Sequence, residues 1–158
     1  MKYPIFASVV ILSLLLMYEI HKHRNKEEKY YQSLIDKEIA ANSTRRKPLD
    51  DLEYISVPLD TLPMDVLPED EKVMEYHNSL KELSETKIVN LTGISNTDLK
   101  LKYGAPNIDT LIRYDHSYTM LVRTLFEWGD YLYQHGYTED AKAILEYAVS
   151  IRTDVSGT

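Results

Sequence analysis

Hydrophobic positions along this chain fall into three regimes: a nearly continuous apolar run, a polar stretch punctuated by prolines, and a long region where apolar residues recur every three or four positions. The first regime extends from Tyr3 to Ile20, broken by Pro4, Ser8, Ser13 and Glu19. As a helix it would measure about 27 Å at about 1.5 Å per residue, which nearly covers a hydrocarbon core. A cleavable secretory signal is the competing reading, with Lys2 as its charged start. The run passes directly into Tyr18-Glu19-Ile20-His21-Lys22-His23-Arg24 without a small-x-small cleavage site, so a retained membrane anchor over residues 1–20 is the expectation. Lys22, Arg24, Lys26 and Lys29 follow the run, whereas only Lys2 and the amino terminus precede it. Positive flanks favour the cytoplasm, so the pattern predicts a single-pass protein of the cell membrane with a cytoplasmic soluble part. The sequons at Asn42 and Asn90 do not decide this orientation, because they matter only in a glycosylating compartment.

Residues 21–42 read as a juxtamembrane helical stalk. From Lys26 to Ala41 there is no Gly or Pro, and Tyr31, Leu34, Ile35 and Ile39 form one apolar stripe. A solvated rod is expected, with a short helix–helix seam as the alternative. Residues 43–68 then read as linker and strap. Asn42, Ser43, Thr44 and Pro48 end the helix, and Arg45, Arg46 and Lys47 form a basic cluster suited to a solvated linker or to anionic lipid. A five-residue pattern follows: Val57-Pro58-Leu59-Asp60, Leu62-Pro63-Met64-Asp65, Leu67-Pro68-Glu69-Asp70. Each proline fixes φ and pushes its predecessor toward extended geometry, which predicts a strap whose aliphatics Ile55, Val57, Leu59, Leu62 and Leu67 pack into the groove of a helical domain.

That domain is expected over residues 69–158. Pro68 with Glu69, Asp70 and Glu71 signals a helix start, followed by a stripe of Val73, Tyr76, Leu80 and Leu83 that ends near Glu85. Lys87 to Gly93 is β-rich and reads as extended. Ser95 predicts a cap for a short helix, with Asp98 three residues on and Ile94 placed to staple onto Leu99; Gly104 and Pro106 end it. From about Asn107 to His135, Leu111, Tyr114, Tyr118, Leu121, Leu125, Trp128 and Leu132 mark one long amphipathic helix. Gly136 closes it, and Ala141, Ile144, Leu145, Ala148 and Ile151 mark a second helix from about Thr138 to Ile151. The fold class is therefore all-α.

The segment Leu125-Phe126-Glu127-Trp128-Gly129-Asp130-Tyr131-Leu132-Tyr133-Gln134-His135-Gly136-Tyr137-Thr138-Glu139-Asp140-Ala141, continued by Leu145 and Ala148, resembles one tetratricopeptide repeat spanning roughly residues 122–155. In that likeness Gly129 and Ala141 are the small residues where two helices cross, and Gly136 is the turn. Leu125 stands where the family often has tryptophan, Trp128 where it usually has leucine, and Thr153 where a proline commonly closes the unit. The resemblance implies a protein-binding scaffold whose concave face would hold Arg123, Phe126, Asp130, Tyr133 and Gln134. The alternative for Phe126 and Tyr133 is packing against the earlier helices or the strap. A single unit makes little groove, so either the upstream helices cap it or further repeats follow; the second is expected. The layout also resembles membrane-anchored repeat proteins of Gram-positive bacteria.

Charge and chemistry narrow the function. Eighteen Lys and Arg against twenty-five Asp and Glu give a formal charge of -7, which disfavours nucleic acid as a partner. The absence of cysteine removes thiolate catalysis and Cys-based metal sites. His116 beside Asp115, and His77 two residues after Glu75, lack the i, i+4 spacing or third ligand of a zinc site and read as surface or boundary histidines. With no phosphate loop, nucleophile elbow or HExxH motif, no enzyme, cofactor, metal or small-molecule substrate is expected. The expectation is a membrane-tethered adaptor for a protein partner, with a permanently packed structural subunit as the alternative.

Overall fold

The structure is a computed structural model in which residues 4–153 are described, with side chains described from residue 8 to residue 151. Five α-helices follow in order: α1 (Pro4–Asn42), α2 (Glu71–Ser84), α3 (Asn96–Tyr103), α4 (Ile108–Gln134) and α5 (Thr138–Thr153), with a 3₁₀ turn (Ala105–Asn107) between α3 and α4. Among the described residues the extended backbone contributes only an isolated antiparallel bridge, Ile55 to Ile88, so the fold is all-α.

After Pro4, α1 contains no helix breaker, and it runs for 39 residues, about 58 Å at the α-helical rise. It ends where the hydroxyls of Ser43 and Thr44 turn back to the carbonyls of Ile39 and Ala40, at 2.8 and 2.9 Å. Every residue from 8 to 37 is exposed. Among the described residues, no helix is long and apolar enough to cross a membrane. The span expected over residues 1–20 begins outside the described residues.

The end of the stalk is not the solvated rod expected of it. Ala41 is fully buried, and the last turns of α1 dock on α3 through polar contacts. Glu38 accepts from Lys100 Nζ and Thr97 Oγ1, both at 2.6 Å, while Lys37 pairs with Asp98 at 2.8 Å. The basic linker is likewise tied down. Lys47 donates its backbone N–H to Tyr103 and its ammonium to the Leu101 carbonyl, so it satisfies the open carbonyls at the end of α3. Asn107 Nδ2 bridges the carbonyls of Lys47 and Tyr103, both at 2.8 Å. Gly104 makes this crossing possible: its φ is +93°, and a Cβ there would stand 2.2 Å from the Arg45 carbonyl oxygen.

Two apolar clusters hold the domain. The larger joins Trp128, Leu121, Leu125 and Leu132 of α4 to Val73 and Leu80 of α2 and to Ala141, Ile144 and Ala148 of α5. Leu62 is buried there, and Ile55, Val57, Leu59 and Leu67 pack on it, so the strap's aliphatics lie where the sequence pattern puts them. Each fully buried leucine or isoleucine contributes about 1.5–3 kcal/mol. The smaller cluster gathers Leu52, Val89, Leu91, Leu99, Tyr103 and Leu111 around α3.

Helix ends follow local chemistry, with two departures from the sequence reading. The α2 helix begins at Glu71, capped by Asp70, whose Oδ1 accepts from the Lys72 and Val73 amides at 3.0 Å. Pro68 stays outside, because Leu67 adopts φ +51° and turns the chain first. Ser95 caps α3 as expected, but Ile94 is left exposed instead of covering Leu99. At the end of α4, Gly136 takes φ +87°; its N–H reaches the Tyr133 carbonyl and that of Tyr137 reaches Leu132, a Schellman closure that sends α5 back along α4.

Candidate interaction site

Because α4 buries Leu121, Leu125, Trp128 and Leu132 on one side, helical geometry leaves Arg123, Phe126, Asp130, Tyr133 and Gln134 on the other. All five are exposed, Phe126 at 38% and Tyr133 at 62%. Two hydrogen-bonded pairs one turn apart order the polar members. Arg123 Nε meets Glu127 Oε1 at 2.8 Å, and Gln134 Nε2 donates to Asp130 Oδ2 at 2.7 Å. The face is therefore aromatic at two points, with polar side chains held between them.

Its electrostatic setting is acidic. Tyr76 of α2 lies edge-on to Tyr131 at 6.3 Å, and its hydroxyl is pushed above its usual range by burial first, then by the charges of Glu127, Glu75, Asp130 and Asp70. The Asp70 carboxyl is held below its ordinary range, chiefly by the Val73 amide and also by the Tyr131 hydroxyl, which donates at 3.0 Å. Lys72 lies over the Tyr131 ring at 5.1 Å. The ridge formed by α2 and α4 thus offers carboxylates beside aromatic rings, a surface suited to a cationic partner.

At the Gly129 crossing, an added Cβ would stand 2.9 Å from the Leu145 side chain and 3.6 Å from the Ala141 carbonyl. Small residues let the helices approach here. Leu145 is partly buried at this contact, while Ala148 is fully buried in the core. Outside the crossing lies an apolar groove of about 520 Å³ between Tyr133 and the outer side of α5, with Ala141, Leu145 and Val149 along it and Lys142 and Glu146 at its rim. Sequence reasoning did not find this groove. Val149, exposed and four residues beyond Leu145 at the edge of the α5 stripe, was the signal.

The histidine expectations divide. His116 is exposed, and its neighbour Asp115 accepts from the Leu91 amide at 2.9 Å, a purely structural use. His77 is not a surface residue: it is buried, with its ring edge-on to Trp128 at 5.0 Å. Its place is set by Val73 and Leu80, which lie four residues before and three after on the buried side of α2. Among the described residues, neither His77 Nε2 nor Trp128 Nε1 has a hydrogen-bond partner. Burial, and secondarily Lys81, holds the imidazole pKa below its ordinary value. Among the described residues, no three histidine or carboxylate groups gather to hold a metal ion.

A second concavity, about 640 Å³, opens beside Tyr54, Ile55, Asn90 and Tyr147; the Tyr147 hydroxyl spans it to the Ser56 carbonyl at 2.9 Å. Among the described residues, Glu53 is the one carboxylate in its lining. No protein-family model matches the chain, and the comparisons find neither a curated protein nor a solved structure similar to it.

Proposed function

We propose that the protein is a membrane-tethered adaptor: the N-terminal part of α1 lies in lipid, and the exposed face of α4 binds a protein partner that presents Lys or Arg. The observation that carries this reading is the state of α1. Val9, Ile11, Leu12, Leu14, Leu15, Leu16, Met17 and Ile20 point to every side of one helix, and each is more than half exposed. A helix apolar all round needs an apolar surrounding, and the other described residues do not supply one. The binding half is supported by Phe126 and Tyr133, large aromatics left at an acidic surface, and by the tight α4–α5 crossing that resembles a tetratricopeptide hairpin.

The full-length chain should remain in the membrane pellet through an alkaline carbonate wash and leave it with detergent. Asp130→Ala with Tyr133→Ala should lose captured partners while melting at the wild-type temperature. Release by carbonate alone defeats the tether, and unchanged capture defeats the face. The apolar groove beside Val149 favours a second reading, a subunit packed permanently in a membrane-associated assembly. In that case the purified chain would self-associate or aggregate until a partner covers the groove.

A further inference from the structure

We propose that one side of α1, just beyond its apolar run, is a seat for the phosphates of anionic phospholipids, with Lys22, Lys26 and Lys29 as its cations and Tyr18 as its interfacial anchor. The proposal rests on the membrane reading above. A shallow groove of about 390 Å³ runs along this side, lined by Tyr18, His21, Lys22, Asn25, Lys26 and Lys29. The unbroken helix creates the stripe: steps of four, four and three residues keep Tyr18, Lys22, Lys26 and Lys29 within one sector.

The charges on this side are available. Lys22 lies 5.9 Å over the Tyr18 ring and 3.7 Å from Glu19, a pair exposed to solvent. Lys26 and Lys29 form no ion pair among the described residues. Glu27 and Glu28 each stand about 100° around the helix from the nearest lysine of the stripe, at about 100° per residue. Lysine is a compact point charge suited to phosphate, and the same sector continues toward the N-terminus into the exposed apolar side chains of Ile11, Leu14 and Leu15. That continuity selects a lipid headgroup over a free anion.

Position along the axis ranks the three cations. Relative to Tyr18, Lys22 stands about 6 Å further out, Lys26 about 12 Å and Lys29 about 16 Å. Tyrosine prefers the headgroup level, and attraction to the surface fades within a Debye length of about 8–10 Å. Lys22 therefore acts on an upright helix, whereas Lys26 and Lys29 contribute when the rod leans toward this side.

The test reconstitutes the full chain in phosphatidylcholine bilayers and compares trace spin-labelled phosphatidylglycerol with spin-labelled phosphatidylcholine by electron spin resonance. Wild type should restrict the anionic label about threefold more than the neutral one, and about 0.5 M NaCl should bring the ratio near one. Combined Lys22→Gln, Lys26→Gln and Lys29→Gln should do the same at low salt, while Arg24→Gln on the far side should leave the ratio intact. Equal restriction of both labels by wild type, or a ratio that survives the triple substitution, overturns the headgroup seat and leaves the tether standing. A loss with Arg24→Gln as large as with the triple variant overturns its one-sidedness. Inorganic phosphate that lowers the ratio more than NaCl at matched ionic strength identifies a free-anion site and overturns the lipid assignment. No restricted component with either label overturns both the seat and the membrane reading.

Discussion

In α4, Leu111, Tyr118, Leu121, Leu125, Trp128 and Leu132 share one side of the helix and all are buried, whereas in α1 the large apolar residues from Val9 to Ile20 cover every side and all are exposed. The two helices carry similar apolar side chains in different angular arrangements. A stripe can be satisfied by a few neighbours: α2 and α5 cover most of that of α4, and the cluster around α3 covers Leu111. A full cylinder cannot be covered by one small domain. The difference assigns stability to α4 and, on the proposed reading, location to α1, and the two can be separated by substitution.

The sharpest separation sets Trp128→Ala against Leu15→Ala. Trp128 is fully buried at the centre of the larger cluster, so its truncation should cost about 3–5 kcal/mol and leave little folded domain, read by chemical denaturation in detergent. Leu15 touches none of that core, and its truncation should leave the domain's midpoint unchanged within about 0.5 kcal/mol. A comparable loss from Leu15→Ala would mean that α1 folds onto the domain in solution, and the comparison would fail.

Gly104→Ala should come next, at about 2–4 kcal/mol, because a side chain there meets both a left-handed φ and the Arg45 backbone. The same substitution at Gly93 tests the reason. Gly93 also has positive φ (+85°) but nothing within 4 Å of the added Cβ, so its cost should be the conformational part alone, about 1 kcal/mol. Equal costs at the two sites would show that the linker crossing contributes nothing.

His77 gives a smaller effect with a definite sign. Its folded-state pKa lies below the ordinary value near 6.5, so on acidification the unfolded chain takes the proton first. Stability should fall as pH drops through about 6.5 and level off below the depressed folded value. His77→Phe should flatten this part of the profile while keeping the edge-on packing against Trp128. A wild-type profile flat between pH 7 and 5 would show that the ring is solvated.

These cases also show what the sequence made legible. The α4–α5 hairpin could be read because its stripe has a 3.6-residue period and Gly136 stops it; the strap could be read because prolines forbid helix and leave aliphatics needing cover. His77 could have been placed, since Val73 and Leu80 fix its side of α2; the missing zinc-site spacing does not by itself imply a surface position. The docking of α1 on α3 could not. Glu38 and Lys100 are 62 residues apart, and neither carries a local mark of its partner. Of the candidate site, the α4 face was reached through the tetratricopeptide resemblance, and its exposure agrees with the register of the buried stripe, while the groove on α5 and the acidic field from α2 depend on how three helices pack.

The smallest expected effect on stability is at that docking contact, yet it decides whether α1 is a rod fixed to the domain or a hinge beneath it. The Glu38 carboxyl is held below its ordinary range near 4.5 by Lys100 first and Thr97 next, so the contact is complete above that value and is lost as pH falls through the lowered folded one. Glu38→Ala should therefore differ from wild type at neutral pH and converge with it in acid. The pair is partly exposed, and Ala41 with the linker ties still holds the helix end, so the melting temperature should move by only a few degrees. Orientation should respond more. With spin labels at positions 28 and 120, wild type should give one narrow distance distribution, and Glu38→Ala a broader one. A distribution equally narrow in both would move the clamp to Ala41 and the basic linker; one equally broad in both would make α1 a loose tether and remove the fixed standoff between lipid and the α4 face.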